Sequence, residues 1–324
     1  MVVTALDYER EVTGLFTPSY IGLRKSGKLK KRIDAAQELL VSCHVCPRDC
    51  GANRLEDDRG FCEVGRLPLV SSYNPHYGEE SPLVGRFGSG TIFLTSCNLR
   101  CCFCQNYDIS HGMEGRTVSP ERMAGMMVEL QAIGCHNINF VTPTHVVPQI
   151  LAALPFAIEK GLKVPLVYNC GGYESVDTLK LLTDIFDVYM PDFKFGNSEV
   201  GSKFCDVPDY PERARGAFKE MHRQVGDLVV NEEGIAERGL LVRHLVMPGG
   251  LAGTREVMRF LVKEVSKDTY VNIMDQYRPC GTAHDYPPLD RRITSTEYEE
   301  ALRVAEQEGI HRLDQRDRRL IFWV

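Results

Sequence analysis

Three cysteines form the most reactive grouping in the sequence. Cys97, Cys101 and Cys104 follow a C-x3-C-x2-C spacing, and Phe103 directly precedes the last of them. Three thiolates on one loop can bind three corners of an iron–sulfur cube and leave the fourth iron open to a substrate. A structural zinc site normally takes four ligands in paired knuckles, which this spacing lacks. The spacing therefore predicts a catalytic [4Fe–4S] cluster on Cys97, Cys101 and Cys104, with the adjacent Cys102 packed against the loop.

A second set of four cysteines lies upstream. Cys43, Cys46, Cys50 and Cys62 have the spacing C-x2-C-x3-C-x11-C in a segment with little apolar content. Such a segment builds no core of its own, so a bound metal is the best reason for it to be ordered. Four thiolates can close either a zinc tetrahedron or an auxiliary [4Fe–4S] cluster, and the spacing leaves both open. We expect His44 to lie beside the ligands rather than among them.

Regular elements have to position these cysteines. Downstream of Gly90, short apolar runs rich in β-branched residues alternate with longer amphipathic stretches, which indicates a parallel sheet covered by helices. Ser119 followed by Pro120, and Ser175, mark two helix starts. The predicted strands are 91–96, 137–142, 164–169, 185–191, 239–247 and 270–275, and the predicted helices are 119–133, 146–160, 175–184, 209–225, 254–266 and 295–309.

Polar or Gly-rich residues follow every predicted strand. A barrel collects all of its βα loops at one edge, whereas an open sheet gathers ligand contacts at one switch point. We therefore predict an α/β fold, a partial (β/α)6 TIM-like barrel at 87–310. An N-terminal helical segment at 1–42 and a small cysteine-rich metal module at 43–86 precede it, and a tail at 311–324 follows. The strand-end residues are Cys97, 142–145, 169–172, Asp192, Lys194, 248–250 and 276–278.

Composition limits the class of protein. The chain of 324 residues has a formal net charge of −6, so no basic field attracts a phosphate backbone and no nucleic-acid partner is expected. Twelve cysteines in a long chain that shows no export signal favour metal binding over disulfides. Because no uninterrupted run of about 18 apolar residues is present, we expect no membrane association and a cytoplasmic location.

The three-cysteine motif resembles that of the radical S-adenosylmethionine superfamily. Met190-x-Asp192-x-Lys194 and the run from Arg243 to Pro248-Gly249 are similar to motifs of the relatives of pyruvate formate-lyase activating enzyme, and the upstream cysteines are closer to an uncharacterised subgroup of them. The resemblance implies a [4Fe–4S] cluster that cleaves S-adenosylmethionine reductively to a 5′-deoxyadenosyl radical. It also implies a flavodoxin or ferredoxin-type electron donor. The radical's target would be a protein glycine, as in a glycyl-radical enzyme, or a small molecule or peptide.

The same resemblance implies roles for the strand-end residues. Asp192, with Asn169, Cys170 and the Met190 carbonyl, would hold a monovalent cation, and Lys194 would face the carboxylate or ribose of S-adenosylmethionine. From the residues themselves, Asp192 could instead cap the next segment and Lys194 could be a solvated charge. The superfamily's Gly-Gly-Glu turn is replaced here by 141–145. The implied S-adenosylmethionine contacts are Phe103, Thr142, Thr144, Asn169, Asp192, Lys194, Arg243 and Tyr277, while His145 is either a helix cap or a substrate contact.

The far wall of the barrel mouth offers substrate contacts. Arg243 and Arg278 could bind an anionic group bidentately, with Gln276 and Tyr277 beside them. The segment 73–80 could reach over the mouth or form a solvated loop. The alternative function is a non-catalytic iron–sulfur or zinc protein or electron relay, which would not need polar residues at six strand ends. A zinc deaminase is disfavoured because the sequence has no H-x-E with a following P-C-x-x-C.

Overall fold

A mostly parallel sheet forms the centre of the protein in residues 16–314, the part of the chain that the computed structural model describes. Ten strands contribute to it. They are β1 Leu69–His76, β2 Ser89–Leu94, β3 Arg116–Thr117, β4 Ile138–Val141, β5 Leu166–Cys170, β6 Val188–Pro191, β7 Val229–Val230, β8 Ala236–Leu245, β9 Tyr270–Met274 and β10 Arg312–Leu313.

Eleven α-helices lie along the same described residues. They are α1 Ser19–Lys25, α2 Lys28–Glu38, α3 Ser81–Val84, α4 Tyr107–Ser110, α5 Pro120–Ile133, α6 Val147–Glu159, α7 Val176–Leu181, α8 Ser198–Cys205, α9 Tyr210–Val225, α10 Thr254–Phe260 and α11 Ser295–Glu308. A π-helical stretch, Leu261–Val265, extends α10. None of the helices in 16–314 has the length and apolar character needed to cross a membrane.

The strand order is β10-β9-β8-β6-β5-β4-β2-β1-β3, with β7 paired to β8. Strands β2, β4, β5, β6, β8 and β9 are parallel to their neighbours, and helices connect them. Strand β1 runs antiparallel to β2 and β3. Within the described residues β3 and β10 do not pair, so the sheet stays open. The predicted partial (β/α)6 barrel is confirmed.

The six predicted strands and six predicted helices are all present, with ends that differ from the prediction by a few residues. The helix starts follow from capping, because Ser119 Oγ accepts from the Arg122 amide at 3.2 Å and Ser175 Oγ accepts from the Thr178 amide at 3.4 Å. The sequence predicts no strand before residue 91, yet β1 forms there and pairs with β2. The polar residues and proline of β1, Ser72, Asn74 and Pro75, obscure the alternation that would indicate a strand.

Helix α1 covers the amino-terminal end of the parallel strands β5 and β6. The Ser19 amide donates to Asp187 Oδ1 at 2.9 Å, and the Tyr20 hydroxyl donates to the Val164 carbonyl at 2.9 Å. Asp187 and Val164 directly precede β6 and β5, so α1 closes the end opposite the strand-end residues. The predicted helical segment at 1–42 is confirmed from Ser19 to Glu38, interrupted at 26–27. Residues 1–15 and most of the predicted tail lie outside the described residues, and the domain limits stay predictions.

Candidate functional site

A cavity of about 400 Å³ opens at the carboxyl ends of the parallel strands. This is the edge where barrel folds place their active sites. Each of the six parallel strands contributes to its wall, either from its last residues or from the loop that follows. The residues that the sequence placed there and that line it are Cys97, Cys101, Phe103, Cys104, Thr142, Asn169, Cys170, Asp192, Lys194, Arg243 and Gln276.

The loop between β2 and α4 brings the three cysteines together. Its backbone turns sharply, with positive φ at Ser96 (76°) and Arg100 (50°). The Leu99 amide donates to Cys97 Sγ at 3.4 Å, and Ser110 Oγ donates to Cys104 Sγ at 3.2 Å. We call residues 97–104 the three-cysteine loop. Hydrogen bonds to sulfur of this kind favour a thiolate, the form that binds iron.

The three thiols influence one another. Burial raises the pKa of Cys97 to about 12 and also raises the pKa of Cys104, and the charge of Cys101 adds to both shifts. The pKa of Cys101 is instead lowered, first by a hydrogen bond from the Cys205 thiol and further by the positive charge of Lys194. Cys205 lies at the end of α8, far from Cys101 along the chain, so no local sequence pattern indicates this contact.

Cys102 takes no part in the cavity wall. It packs against the core, its amide donates to the Phe204 carbonyl at 3.0 Å, and its own carbonyl accepts from the Thr282 amide at 2.9 Å. This placement agrees with the prediction that Cys102 packs against the loop. Burial raises the pKa of its thiol to about 11.

A buried ionic network forms part of the cavity wall. Arg243 Nε donates to Asp192 Oδ1 at 2.7 Å, Lys194 Nζ donates to Asp192 Oδ2 at 2.7 Å, and Arg243 Nη2 donates to Asn169 Oδ1 at 2.7 Å. Carboxylates of Glu79 and Glu80 stand 3.8 and 3.9 Å from Arg243 Nη1. Arg243 is therefore neutralised by acidic side chains, which differs from the expected binding of an anionic group. Arg278, its expected partner, is exposed and does not line the cavity.

The network sets the charges in the site. Burial by itself would raise the pKa of Asp192, but the positive charges of Arg243 and Lys194 outweigh it and lower this pKa. The pKa values of Lys194 and Arg243 are raised in return, because the negative charge of Asp192 outweighs their burial. Both oxygens of Asp192 thus accept from cationic side chains, and the monovalent cation expected beside Asp192 stays a prediction.

The turn after β4 divides its residues between the cavity and the interior. Thr142, with φ of 61°, lines the cavity, and its amide donates to the Asn169 carbonyl at 2.8 Å. Thr144 points inward, where its hydroxyl donates to Glu174 Oε1 at 2.6 Å. His145 is buried against the Thr95 carbonyl at 2.9 Å, and burial lowers its pKa to about 4. Of this turn, the structure brings only Thr142 to the cavity.

Glu174 is a buried acid that the sequence analysis missed. Its oxygens accept from the hydroxyls of Thr144 and Tyr168 at 2.6 and 2.8 Å, and it also bonds to the thiol of Cys170. Burial raises its pKa to about 7. It lies directly behind a cavity residue, yet nothing in the pattern of the segment 171–175 indicates that the side chain points inward.

Of the two aromatic residues predicted as cofactor contacts, one lines the cavity and the other does not. Phe103 lines the cavity and packs edge-on against Phe195 with ring centres 5.9 Å apart. Tyr277 is buried, and its hydroxyl donates to the Leu289 carbonyl at 2.7 Å. Tyr277 does not line the cavity. Its ring stands 6.3 Å from that of Phe103, behind the wall.

The end of β1 and the segment that follows it supply three side chains to the cavity. His76, Glu79 and Glu80 all line it, and His76 Nδ1 lies 3.1 Å from Glu79 Oε1. Of the two options that the sequence left open for 73–80, the structure shows a strand end that reaches the cavity wall. The sequence pointed to this segment but not to its contacts with Arg243.

The second cysteine set also converges. Cys43, Cys46, Cys50 and Cys62 line one small cavity of about 10 Å³, roughly the space of a water molecule. His44 bonds through Nδ1 to Asp49 and does not line this cavity. In the described ranges no three His, Cys, Asp or Glu side chains are arranged to hold a single metal ion. The cysteine ligands of an iron–sulfur cube stand farther apart than those of one ion.

Comparison with known proteins gives two curated relatives. The chain is 35% identical over 293 residues to uncharacterized protein MJ0674 of Methanocaldococcus jannaschii, covering 87% of this chain and 80% of that protein. It is 27% identical over 182 residues to uncharacterized protein MJ0808 of the same organism, covering 51% of this chain and 52% of that protein. No protein-family model matches the chain.

Two solved structures resemble the fold distantly. Native anSMEcpe with bound AdoMet has a TM-score of 0.43 and 11% identity, covering 66% of this chain and 57% of that one. Native anSMEcpe with bound AdoMet and Cp18Cys peptide has a TM-score of 0.43 and 10% identity, covering 66% and 56%. The chain thus spans little more than half the length of these structures. The 35% identity extends over 80% of the relative's length, so this chain belongs to the same family as protein MJ0674 of Methanocaldococcus jannaschii.

Proposed function

We propose that this chain is a radical S-adenosylmethionine enzyme. The observation that carries the proposal is that Cys97, Cys101 and Cys104 line the same cavity as the ionic network of Asp192, Lys194 and Arg243. Three thiolates leave one corner of an iron–sulfur cube without a protein ligand. When bound there, a [4Fe–4S] cluster supplies the electron that cleaves S-adenosylmethionine to a 5′-deoxyadenosyl radical.

The donor set fits this group. The three sulfurs belong to one loop, interact electrostatically, and accept hydrogen bonds from the Leu99 amide and Ser110 hydroxyl. The positive charge of Lys194 also lowers the pKa of Cys101. The hydrogen bonds to sulfur and the charge of Lys194 favour the thiolates that iron requires. Leu99, buried beside Gly171, and Phe103 exclude water from the inner side of the loop.

The polar wall suits S-adenosylmethionine. Its methionine moiety carries a carboxylate and an ammonium group, and the wall offers Lys194 for the first and the oxygens of Thr142 and Asn169 for the second. A volume of about 400 Å³ lies in the range of small-molecule sites. Arg243 acts in this scheme as a positioning residue, because its donors hold Asp192 and Asn169 in place.

For the radical's target we propose a glycine of a partner protein, as in activating enzymes, or a small molecule or peptide. The open sheet, in which β3 and β10 do not pair within 16–314, supports a substrate larger than a metabolite. A flavodoxin or ferredoxin-type protein would donate the electron, and a cytoplasmic location fits an oxygen-sensitive cluster.

Anaerobic reconstitution tests the proposal. The full chain is loaded with iron and sulfide, reduced with dithionite and incubated with S-adenosylmethionine, and 5′-deoxyadenosine is measured by chromatography. We expect 5′-deoxyadenosine to accumulate above a control without reductant. A chain that carries a full cluster and yields no 5′-deoxyadenosine would overturn the proposal and favour the non-catalytic iron–sulfur or electron-relay alternative.

A further inference from the structure

Arg48 connects the two cysteine sets. It lies between Cys46 and Cys50, yet its side chain donates to backbone carbonyls elsewhere in the described chain. Nε donates to Asn98 O at 2.8 Å, Nη1 to Asp206 O at 2.9 Å and Nη2 to Cys205 O at 3.1 Å. Asn98 follows the first cysteine of the three-cysteine loop, and Cys205 bonds to Cys101. The guanidinium of Arg48 thus binds both the three-cysteine loop and Cys205, the residue whose thiol bonds to Cys101.

Further contacts join the same two segments. The guanidinium of Arg48 lies 3.8 Å above the ring of Phe61. Ser96 Oγ, directly before the three-cysteine loop, donates to the Cys62 carbonyl at 2.5 Å, and Arg100 pairs with Glu63 at 2.7 Å. We call the segment 43–63 the four-cysteine segment. It contacts the residue before the three-cysteine loop, residues within that loop, and Cys205, which packs against it.

Regular secondary structure contributes little to the four-cysteine segment. Between α2 and β1 the described chain has only one short 3-10 turn, Arg54–Glu56, as regular structure. Its buried apolar side chains are few, chiefly Val45, while all four cysteines face one cavity. Segments of this kind are usually ordered by a metal cross-link.

Arg54 gives independent support for negative charge at the four thiols. Its side chain is 1% exposed and lines their cavity, with Nη1 3.9 Å from Cys43 Sγ. Its Nη2 is buried and finds no hydrogen-bond acceptor among residues 16–314. A buried guanidinium with an unused donor is costly beside neutral thiols, whereas metal-bound thiolates supply both the charge and the acceptor. Arg48, also on this wall, adds a second positive charge.

We propose that Cys43, Cys46, Cys50 and Cys62 bind a thiophilic metal centre, and that the metal-bound segment holds the three-cysteine loop in place through Arg48. In either case four thiolates are the ligands, and they bind one zinc ion or the irons of a [4Fe–4S] cluster. Rotation about a Cα–Cβ bond moves a sulfur without moving the backbone, and such rotations would bring the thiols onto the metal. The metal site itself does not depend on the proposed radical chemistry, whereas the role of Arg48 rests on the first cluster.

Metal analysis tests the site independently of any activity. In the full chain, Cys97, Cys101 and Cys104 are all replaced by Ala, and zinc, iron and sulfide are measured after anaerobic purification. We expect either about one zinc per chain or about four irons with matching sulfide. Adding Cys46→Ser should remove this metal, whereas adding Cys135→Ser, a buried cysteine outside both sets, should not. A folded triple variant, by circular dichroism, that holds neither metal overturns the proposal.

A second measurement tests the role of Arg48. In the otherwise native chain, Arg48→Ala should keep the metal of the four-cysteine segment, because Arg48 is not a ligand. It should release iron from the three-cysteine loop to a chelator about tenfold faster, since several charge-assisted hydrogen bonds are lost. It should also alter the paramagnetic resonance spectrum of the reduced cluster. Arg48→Lys should release iron at a rate between those of wild type and Arg48→Ala. Arg59→Ala changes an exposed residue of the same segment and should behave as wild type. Equal rates for Arg48→Ala and Arg59→Ala overturn the positioning role.

Discussion

Arg243 and Asp192 form the central ion pair of the cavity, with Arg243 Nε 2.7 Å from Asp192 Oδ1. Their backbones also meet in an isolated parallel bridge that extends the pairing of β6 and β8. The pair lies where the two strands end, so the same residues join the sheet and set the charge of the site.

Removing the cation of this pair should destabilise the fold. Arg243→Met leaves the carboxylates of Asp192, Glu79 and Glu80 close together without the guanidinium that balances their charge. We expect the free energy of unfolding to fall by about 3–5 kcal/mol in urea titrations. Lys30→Ala, which breaks an exposed pair with Asp34, should cost less than about 0.5 kcal/mol. A loss for Arg243→Met as small as that of the control would contradict the assigned network.

Individual cysteines should differ sharply in their effect on activity. Cys101→Ala removes one of the three proposed iron ligands, so iron content should fall and 5′-deoxyadenosine should drop to the unreduced background. Cys102→Ala, one residue away and outside the cavity wall, should retain both the iron and the product. Iron analysis and chromatography on the same samples check this. Loss of product in both variants at equal iron content would argue against the ligand assignment.

Glu174 should make stability depend on pH. Burial raises the pKa of Glu174 to about 7 from 4.5, so between these values the folded protein holds a proton that the unfolded chain releases. The stabilisation from the protonated acid is full below pH 4.5 and is lost as the pH rises to 7, on the order of 3 kcal/mol in total.

Asp187 also contributes to the pH dependence, because burial raises its pKa to about 6. Subtracting the free energy of unfolding of Glu174→Gln from that of wild type removes this contribution and leaves that of Glu174. Free energies of unfolding are measured for both proteins at pH 5, 6, 7 and 8. We expect Glu174→Gln to lose less stability than wild type across this range, and the two curves should run parallel above about pH 7.5. Parallel curves at all four values would show that Glu174 is already ionised in the folded protein.

Gly172 should be sensitive to a single added methyl group. Its φ is +79°, and a Cβ there would stand 2.5 Å from the Asp192 carbonyl oxygen. Gly172→Ala therefore combines left-handed backbone strain of about 1 kcal/mol with a clash of about 1–3 kcal/mol. Gly161→Ala, with φ of +90° and no atom within 4 Å of its Cβ, should cost only the strain. Comparing the thermal unfolding of the two variants separates the backbone strain from the steric clash. Equal melting temperatures would show that an added Cβ at Gly172 does not clash with the Asp192 carbonyl.

The sequence by itself determined the parts of this protein that depend on local pattern. The spacing of Cys97, Cys101 and Cys104 on one loop, the six parallel strands and the helices that begin at Ser119 and Ser175 all follow from periodicity, capping and ligand spacing over a few residues. Because every βα unit sends its strand end to the same edge, the sequence also predicted that Asp192, Lys194 and Arg243 share one cavity.

Only the tertiary structure decided which residues meet across long separations. Strand β1 was missed because its polar residues conceal the pattern, and its pairing with β2 is what orders it. The contact of Cys205 with Cys101, the turn of Tyr277 away from the cavity and the bonds from Arg48 to 98 and 205–206 join segments that no local pattern relates. Packing of the whole chain sets such contacts, since a side chain's partners in a folded core are chosen by space and charge rather than by its neighbours in sequence.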